Sequence, residues 1–139
     1  MLSLENLLVS GIDPNIVDMV IIDYENNKCD YASNSLHRTF PYGTEVEVFS
    51  FKVLMEAWKK AKKPSEREHV TPFIYDPQHK FHLFNTKYQE NLTHLRYTVD
   101  RIEDLNLVRE IVKNIDNRPI LLQDILYLYK KTEFNSIST

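Results

Sequence analysis

Asp100 has the clearest chemical prospect in this sequence. It closes the run LRYTVD (residues 95–100), in which Leu95, Tyr97 and Val99 fall on one face of an extended segment and Arg96, Thr98 and Asp100 on the other. The period then changes, and Ile102, Leu105, Val108, Ile111, Val112 and Ile115 recur at helical spacing. A carboxylate at the carboxyl end of a strand, just ahead of a helix, is where open α/β sheets place their ligand chemistry. Arg96 on the same face is either an ion-pair partner or a group facing a phosphate. The same position is also a good helix N-cap: Glu103 would complete a capping box, and Asp104 is a first-turn acid favoured by the helix dipole. Spacing alone favours the cap, and the two roles are compatible.

A second charged group is Glu66-Arg67-Glu68-His69. Arg67 could grip a carboxylate or hydroxyls, and His69 could donate a hydrogen bond. The plainer reading is a capping box of Ser65 with Glu68 on a solvated face. Glu45 and Glu47 share one strand face opposite Val46 and Val48, which is also the pattern of a solvent-facing edge. His79 and His82 have no third ligand at metal-site spacing and read as surface residues. Cys29 opens a buried strand and reads as core rather than nucleophile. Trp58 and the stripe containing Met55 also read as core.

These side chains must be positioned by an alternation of helices and strands. Asp13-Pro14 starts a helix as N-cap and first helical residue, and Ile16, Val17, Val20, Ile21 and Tyr24 form its apolar stripe. Residues 29–33 (CDYAS) and 45–49 (EVEVF) read as strands. Ser50 caps a helix with Phe51, Leu54, Met55 and Trp58 along one side and lysines at its end, closed by Pro64. A short helix from Ser65 is broken at Thr71-Pro72. Residues 73–75 are expected to be extended, residues 76–79 to turn and residues 81–85 to form a strand. The strand and helix around Asp100 follow. Residues 116–119 (DNRP) link to a last amphipathic helix over 120–131. The expectation is a single α/β domain over residues 1–139 that lacks the repeated strand–helix units of a complete doubly wound fold.

Composition removes several function classes. With 17 Lys and Arg against 20 Asp and Glu, the net charge of −3 makes no case for nucleic acid. One cysteine excludes an internal disulfide or a multi-cysteine zinc site. No apolar run approaches a membrane span, and MLSLENLLVSG lacks the basic region of a signal peptide, so a reducing cytoplasm fits best. The Asn91-Leu92-Thr93 sequon reads as a chance match in that setting. Only two glycines occur, Gly11 and Gly43, too few for a dinucleotide fingerprint or a P-loop.

Four stretches in order carry a family likeness: IDPNIVDMVI (12–21); DYASN (30–34) followed by RTFPYGTEVEVFSF (38–51); PSEREHVTPFI (64–74); and LRYTVDRIEDLNLVREI (95–111). Together they resemble the cytidylyltransferase-like proteins of spore coat polysaccharide biosynthesis, relatives of the acylneuraminate cytidylyltransferases. The resemblance implies a nucleotide-diphospho-sugar transferase (GT-A-like) fold, a mixed sheet flanked by helices. It implies transfer of CMP from CTP to a sugar with release of pyrophosphate, assisted by Mg2+, in a protein that is often a homodimer. Asp100 then matches the second metal-binding aspartate, and Glu47, Arg67, Glu68, His69 and Arg96 become substrate-binding candidates.

The chain also departs from that family. The triphosphate-holding glycine and lysine loop has no counterpart here. The place of the first metal aspartate reads Leu7-Leu8-Val9-Ser10-Gly11, without a carboxylate, and the Pro-Asp-Gly-Leu-Asp turn reads Pro41-Tyr42-Gly43-Thr44-Glu45. The resemblance is therefore to the carboxyl-terminal part of such an enzyme, with the nucleotide-binding half missing and Asp100 as half of a metal site. The alternative expectation is a non-catalytic interaction or dimerisation module that pairs with a separate nucleotide-binding half.

Overall fold

The computed structural model describes residues 13–98 and 102–137. Asp100 lies outside the described residues, as do residues 1–12 and the side chains of Glu103 and Asp104. Six α-helices are described: α1 (Pro14–Asn27), α2 (Phe51–Lys60), α3 (Pro64–Glu68), α4 (Pro72–Tyr75), α5 (Ile102–Asn114) and α6 (Leu122–Ile137). The strands are β1 (Tyr31–Ser33), β2 (Glu47–Phe49) and β3 (Leu83–Asn85), in the spatial order β2-β1-β3. The described residues form two compact units. One comprises residues 13–17, 41–44, 93–98 and 102–137, the other residues 18–40 and 45–92.

The second unit is a small mixed sheet between helices. β1 runs antiparallel to β2, with Ala32 opposite Val48 and Ser33 opposite Glu47, and parallel to β3. Alternation sends successive side chains to opposite faces. Ala32, Val46, Val48 and Phe84 pack with Val20 of α1, while Tyr31, Phe49 and Leu83 pack with Val53 and Ala57 of α2 and with Phe73 and Ile74 of α4. The expected alternation of 45–49 is present, although the paired strand is only Glu47–Phe49.

The capping residues do what their types dictate. Asp13 accepts from the backbone N–H of Asn15 at 2.8 Å to start α1 behind Pro14. Ser50, extended at φ −77° and ψ 155°, accepts from Val53 N–H at 3.2 Å to start α2. Pro64 stops nothing by itself; it stands at the first position of α3, behind Lys63 as N-cap.

Several expectations are corrected. Residues 73–75 are helical rather than extended, because Pro72 presets the first helical φ. The core face of α2 is Val53 and Ala57; Phe51 (75% exposed) and Trp58 (59% exposed) turn outward, so Trp58 is not core. Of the expected stripe, Ile111 on α5 and Ile115 just past its end are buried, while Ile102 is exposed. Residues 95–98 do not form a sheet strand; they make one isolated parallel bridge, between Arg96 and Tyr42.

In the first unit, Ile111 of α5 and Ile115 just past its end pack on Ile125 of α6, with Tyr97 and Leu128 against them. The segment 116–119 between these helices is non-helical, and Arg118 closes α5 by donating to the carbonyls of Ile115 at 2.6 Å and Val112 at 3.4 Å. α6 begins at Leu122, two residues later than its pattern indicates, where Asp124 accepts from Leu121 N–H at 3.0 Å. Among the described residues, no helix is long and apolar enough to cross a membrane.

Candidate functional site

The sequence-selected residues fall into two places, each within one unit. In the first unit, the turn at Pro41 to Thr44 is fastened to the segment leading towards Asp100. Tyr42 N–H donates to Leu95 C=O at 3.1 Å, and Tyr97 N–H donates to Tyr42 C=O at 2.7 Å. Arg96 lies between these bonds and is exposed. Gly43 makes the close approach. Its φ is +94°, and a Cβ there would sit 2.9 Å from the backbone carbon of Tyr97 and 3.0 Å from the nitrogen of Thr98. Only glycine accepts both the left-handed backbone and the contact. The hydroxyls of Tyr97 and Thr98 are buried with no hydrogen-bond partner among the described residues. Burial holds the Tyr97 phenol well above the usual tyrosine range.

In the second unit, α2 and α3 flank an open groove of about 420 Å³ lined by Leu54, Met55, Trp58, Arg67 and Val70 among others. Arg67 donates to the Trp58 carbonyl at 2.9 Å, and its guanidinium stands over the Trp58 ring 6.0 Å from the centroid. Val70 has φ +54°, an unusual conformation for a β-branched residue. Glu68 and His69 are exposed, with 4.0 Å between carboxylate and imidazole.

The capping acid of α3 is Glu66, not Glu68. Its carboxylate accepts from the N–H groups of Lys62 and Lys63, both at 3.2 Å, and Lys63 Nζ lies 3.0 Å from it. Ser65 cannot be the cap because Pro64 already occupies the first helical position. The hydrogen bond from Lys63 is the main cause that lowers the Glu66 pKa below the usual carboxylate range, and Glu66 raises that of Lys63. Lys63 also reaches Asp76 at 3.5 Å. Asp76 accepts from Gln78 N–H at 2.9 Å, the first cause of its own lowered pKa.

Glu66, Asp76 and His79 bring ligand atoms within 4.8 Å of one another. Spacing passed over His79 because its partners are acids that the fold supplies from 13 and 3 residues upstream. The set does not suit magnesium, which takes oxygen ligands in an octahedral shell. Here one ligand is an imidazole stacked on Phe73 at 3.7 Å, and the Lys63 ammonium already pairs with both carboxylates and offsets part of their charge.

Glu47 is exposed on β2, and its carboxylate accepts a very short hydrogen bond from the Tyr31 hydroxyl. Burial first, and this carboxylate second, raise the Tyr31 pKa far above the ordinary value. Neighbouring Glu45 pairs with Arg38 at 2.5 Å. Glu47 is thus tied to Tyr31 and Arg67 to Trp58, so the described bonds do not gather the sequence candidates around one point. Arg96 belongs to the other unit. Cys29 is buried and its thiol pKa is raised by that burial, consistent with a core residue, and His82 is exposed as expected.

No family model matches the chain. A solved structure of a cytidylyltransferase from Leptospira borgpetersenii superposes on 88% of this chain with a TM-score of 0.80 and 25% identity, over 52% of that protein. The fold is cytidylyltransferase-like. A curated relative, an uncharacterized protein of Methanocaldococcus jannaschii, is 32% identical over 138 residues, covering 94% of this chain and 56% of the relative. The chain spans about half the length of the proteins it matches.

Proposed function

We propose that this chain is the sugar-side portion of a cytidylyltransferase-like protein of cell-surface polysaccharide biosynthesis, akin to the spore coat and acylneuraminate branches. The observation that carries the reading is the superposition on a cytidylyltransferase over 88% of the chain. In this reading CMP passes from CTP to a sugar and pyrophosphate leaves. The turn held by Gly43 sets the path of residues 95–98, which in sequence precede Asp100. Asp100 would supply one ligand to a magnesium ion, which when bound would supply neutralisation of phosphate charge. Arg96 faces a phosphate. Glu47, Arg67, Glu68 and His69 supply hydrogen bonds and charge on the sugar side. The triphosphate-holding loop and the first metal aspartate do not occur in these 139 residues, so this chain alone is not expected to turn over substrate.

The test is thermal stabilisation by CTP with magnesium. A ligand that binds the folded chain raises its stability by RT ln(1 + [L]/Kd), about 1.4 kcal/mol at a tenfold excess over Kd. A shift that vanishes in Asp100→Ala supports the metal role. No shift at millimolar CTP and magnesium overturns nucleotide binding by this chain. A second reading, a non-catalytic interaction module that also self-associates, is favoured by the exposed Phe51 and Trp58. It expects no nucleotide shift but saturable capture of a nucleotide-binding half carrying the glycine and lysine loop.

A further inference from the structure

Two helical surfaces of the second unit are complementary in charge, and both expose apolar side chains. The groove between α2 and α3 presents Trp58, 59% exposed, and Val70, 47% exposed, with Phe51 one end further along the same helix. Its surroundings are cationic: residues 51–67 carry six Lys and Arg against two Glu. Glu66 and Glu56 are already engaged, by Lys63 and Lys60 respectively. Lys59, four residues after Met55 and so on its side of α2, and Lys62, just past the end of that helix, are exposed and form no ion pair among the described residues.

α1 is the opposite kind of surface. It carries Asp18, Asp23 and Glu25 and no Lys or Arg. Its outer face exposes Ile22 at 54%, with Met19 and Ile21 beside it, between the exposed acids Asp18 and Glu25. An acidic amphipathic helix with anchors one turn apart is what a basic-rimmed apolar groove accepts. Tyr127 of α6, also exposed, is a poorer occupant because Lys130 and Lys131 follow one turn on and would meet like charge.

We propose that the groove between α2 and α3 receives α1 of a second copy of this chain. Within the unit, α1 packs on one face of the sheet and α2 on the other, so a chain cannot fill its own groove. The same neighbour cannot readily return the contact, which makes it head-to-tail rather than two-fold. Such a contact propagates into rings or short filaments. The proposal rests on these surfaces and not on the nucleotidyltransferase reading, although the two share Arg67, which lines the groove and would be covered by the docked helix.

Sedimentation velocity across micromolar to submillimolar concentrations tests it. The wild-type chain should associate beyond a dimer. Ile22→Lys and Trp58→Glu, both at exposed positions, should each weaken association at least about tenfold. The decisive arm mixes the two variants: Ile22→Lys keeps its groove and Trp58→Glu keeps its helix, so together they form a closed 1:1 heterodimer although neither self-associates. If either variant loses its helical circular dichroism, Glu25→Lys and Lys59→Glu replace the pair with the same expectation. A wild-type monomer at every concentration overturns the proposal. So does association that the variants leave unchanged, or a mixture that stays monomeric.

Discussion

The carboxylate of Asp13 joins two helix starts: one oxygen accepts from Asn15 N–H in the first turn of α1, the other from the N–H of Leu122, 109 residues further along at the start of α6, at 2.7 Å. The side chain is buried, and helix N-termini are where a buried anion is best compensated. Asp13→Ala removes both acceptors and should cost about 2–4 kcal/mol, the sum of a lost cap and an unsatisfied buried N–H. Asp13→Asn keeps one acceptor oxygen and should cost about half as much. Urea denaturation followed by circular dichroism checks both, and equal costs for the two variants would refute the double role.

Gly43→Ala should be among the most damaging single-methyl additions in the chain. The new Cβ meets backbone atoms of Tyr97 and Thr98, which cannot swing aside, at a φ of +94°. A cost of about 2 kcal/mol, or roughly 5–10 °C in Tm, is expected. A thermal melt reads it, and an unchanged Tm would mean that the turn is not held against residues 95–98.

Stability should fall in acid partly through Glu66. Its folded pKa lies below the ordinary value, so the contribution is complete above the usual carboxylate range and is lost as pH falls through the folded pKa. Lys63 has the opposite sign: its raised pKa contributes below the unfolded lysine value and is lost as pH rises through the folded one. Glu66→Gln should therefore be less stable than wild type near neutrality, and the difference should shrink below about pH 4. Denaturation curves at several pH values test this, and a pH-independent gap would argue for packing rather than charge.

The Tyr31 phenol should resist ionisation in alkali. Because its pKa is raised, the neutral form contributes stability that is complete below the unfolded value of about 10 and is lost as pH rises towards the folded one. Glu47→Gln removes the carboxylate but not the burial, so Tyr31 should titrate at lower pH than in wild type while staying above an exposed tyrosine. Ultraviolet difference titration of wild type, Glu47→Gln and Tyr31→Phe isolates that step. If Glu47→Gln leaves the titration untouched, burial alone sets it.

The sequence by itself determined where most elements begin and which class of fold they make. Asp13-Pro14 and Ser50 are local signals whose effect extends only two or three residues, and the Val46/Val48 alternation needs no distant partner to be read. Tertiary structure decided the rest. Which stripe of α2 is buried depended on what the sheet and α4 offered, and they took Val53 and Ala57 and left Trp58 outside. Residues 95–98 alternate like a strand, but their pairing depends on Tyr42, more than fifty residues earlier, so they became a single bridge. Lys63, Glu66, Asp76 and His79 meet only because α3, α4 and the turn at Pro77–His79 fold back on one another. Asp13 looked like an ordinary cap, and its second bond to Leu122 is a contact between distant backbone groups that no local spacing encodes. Local chemistry specifies caps and periods; contacts between residues far apart in the chain specify which face is buried and which polar groups share a site.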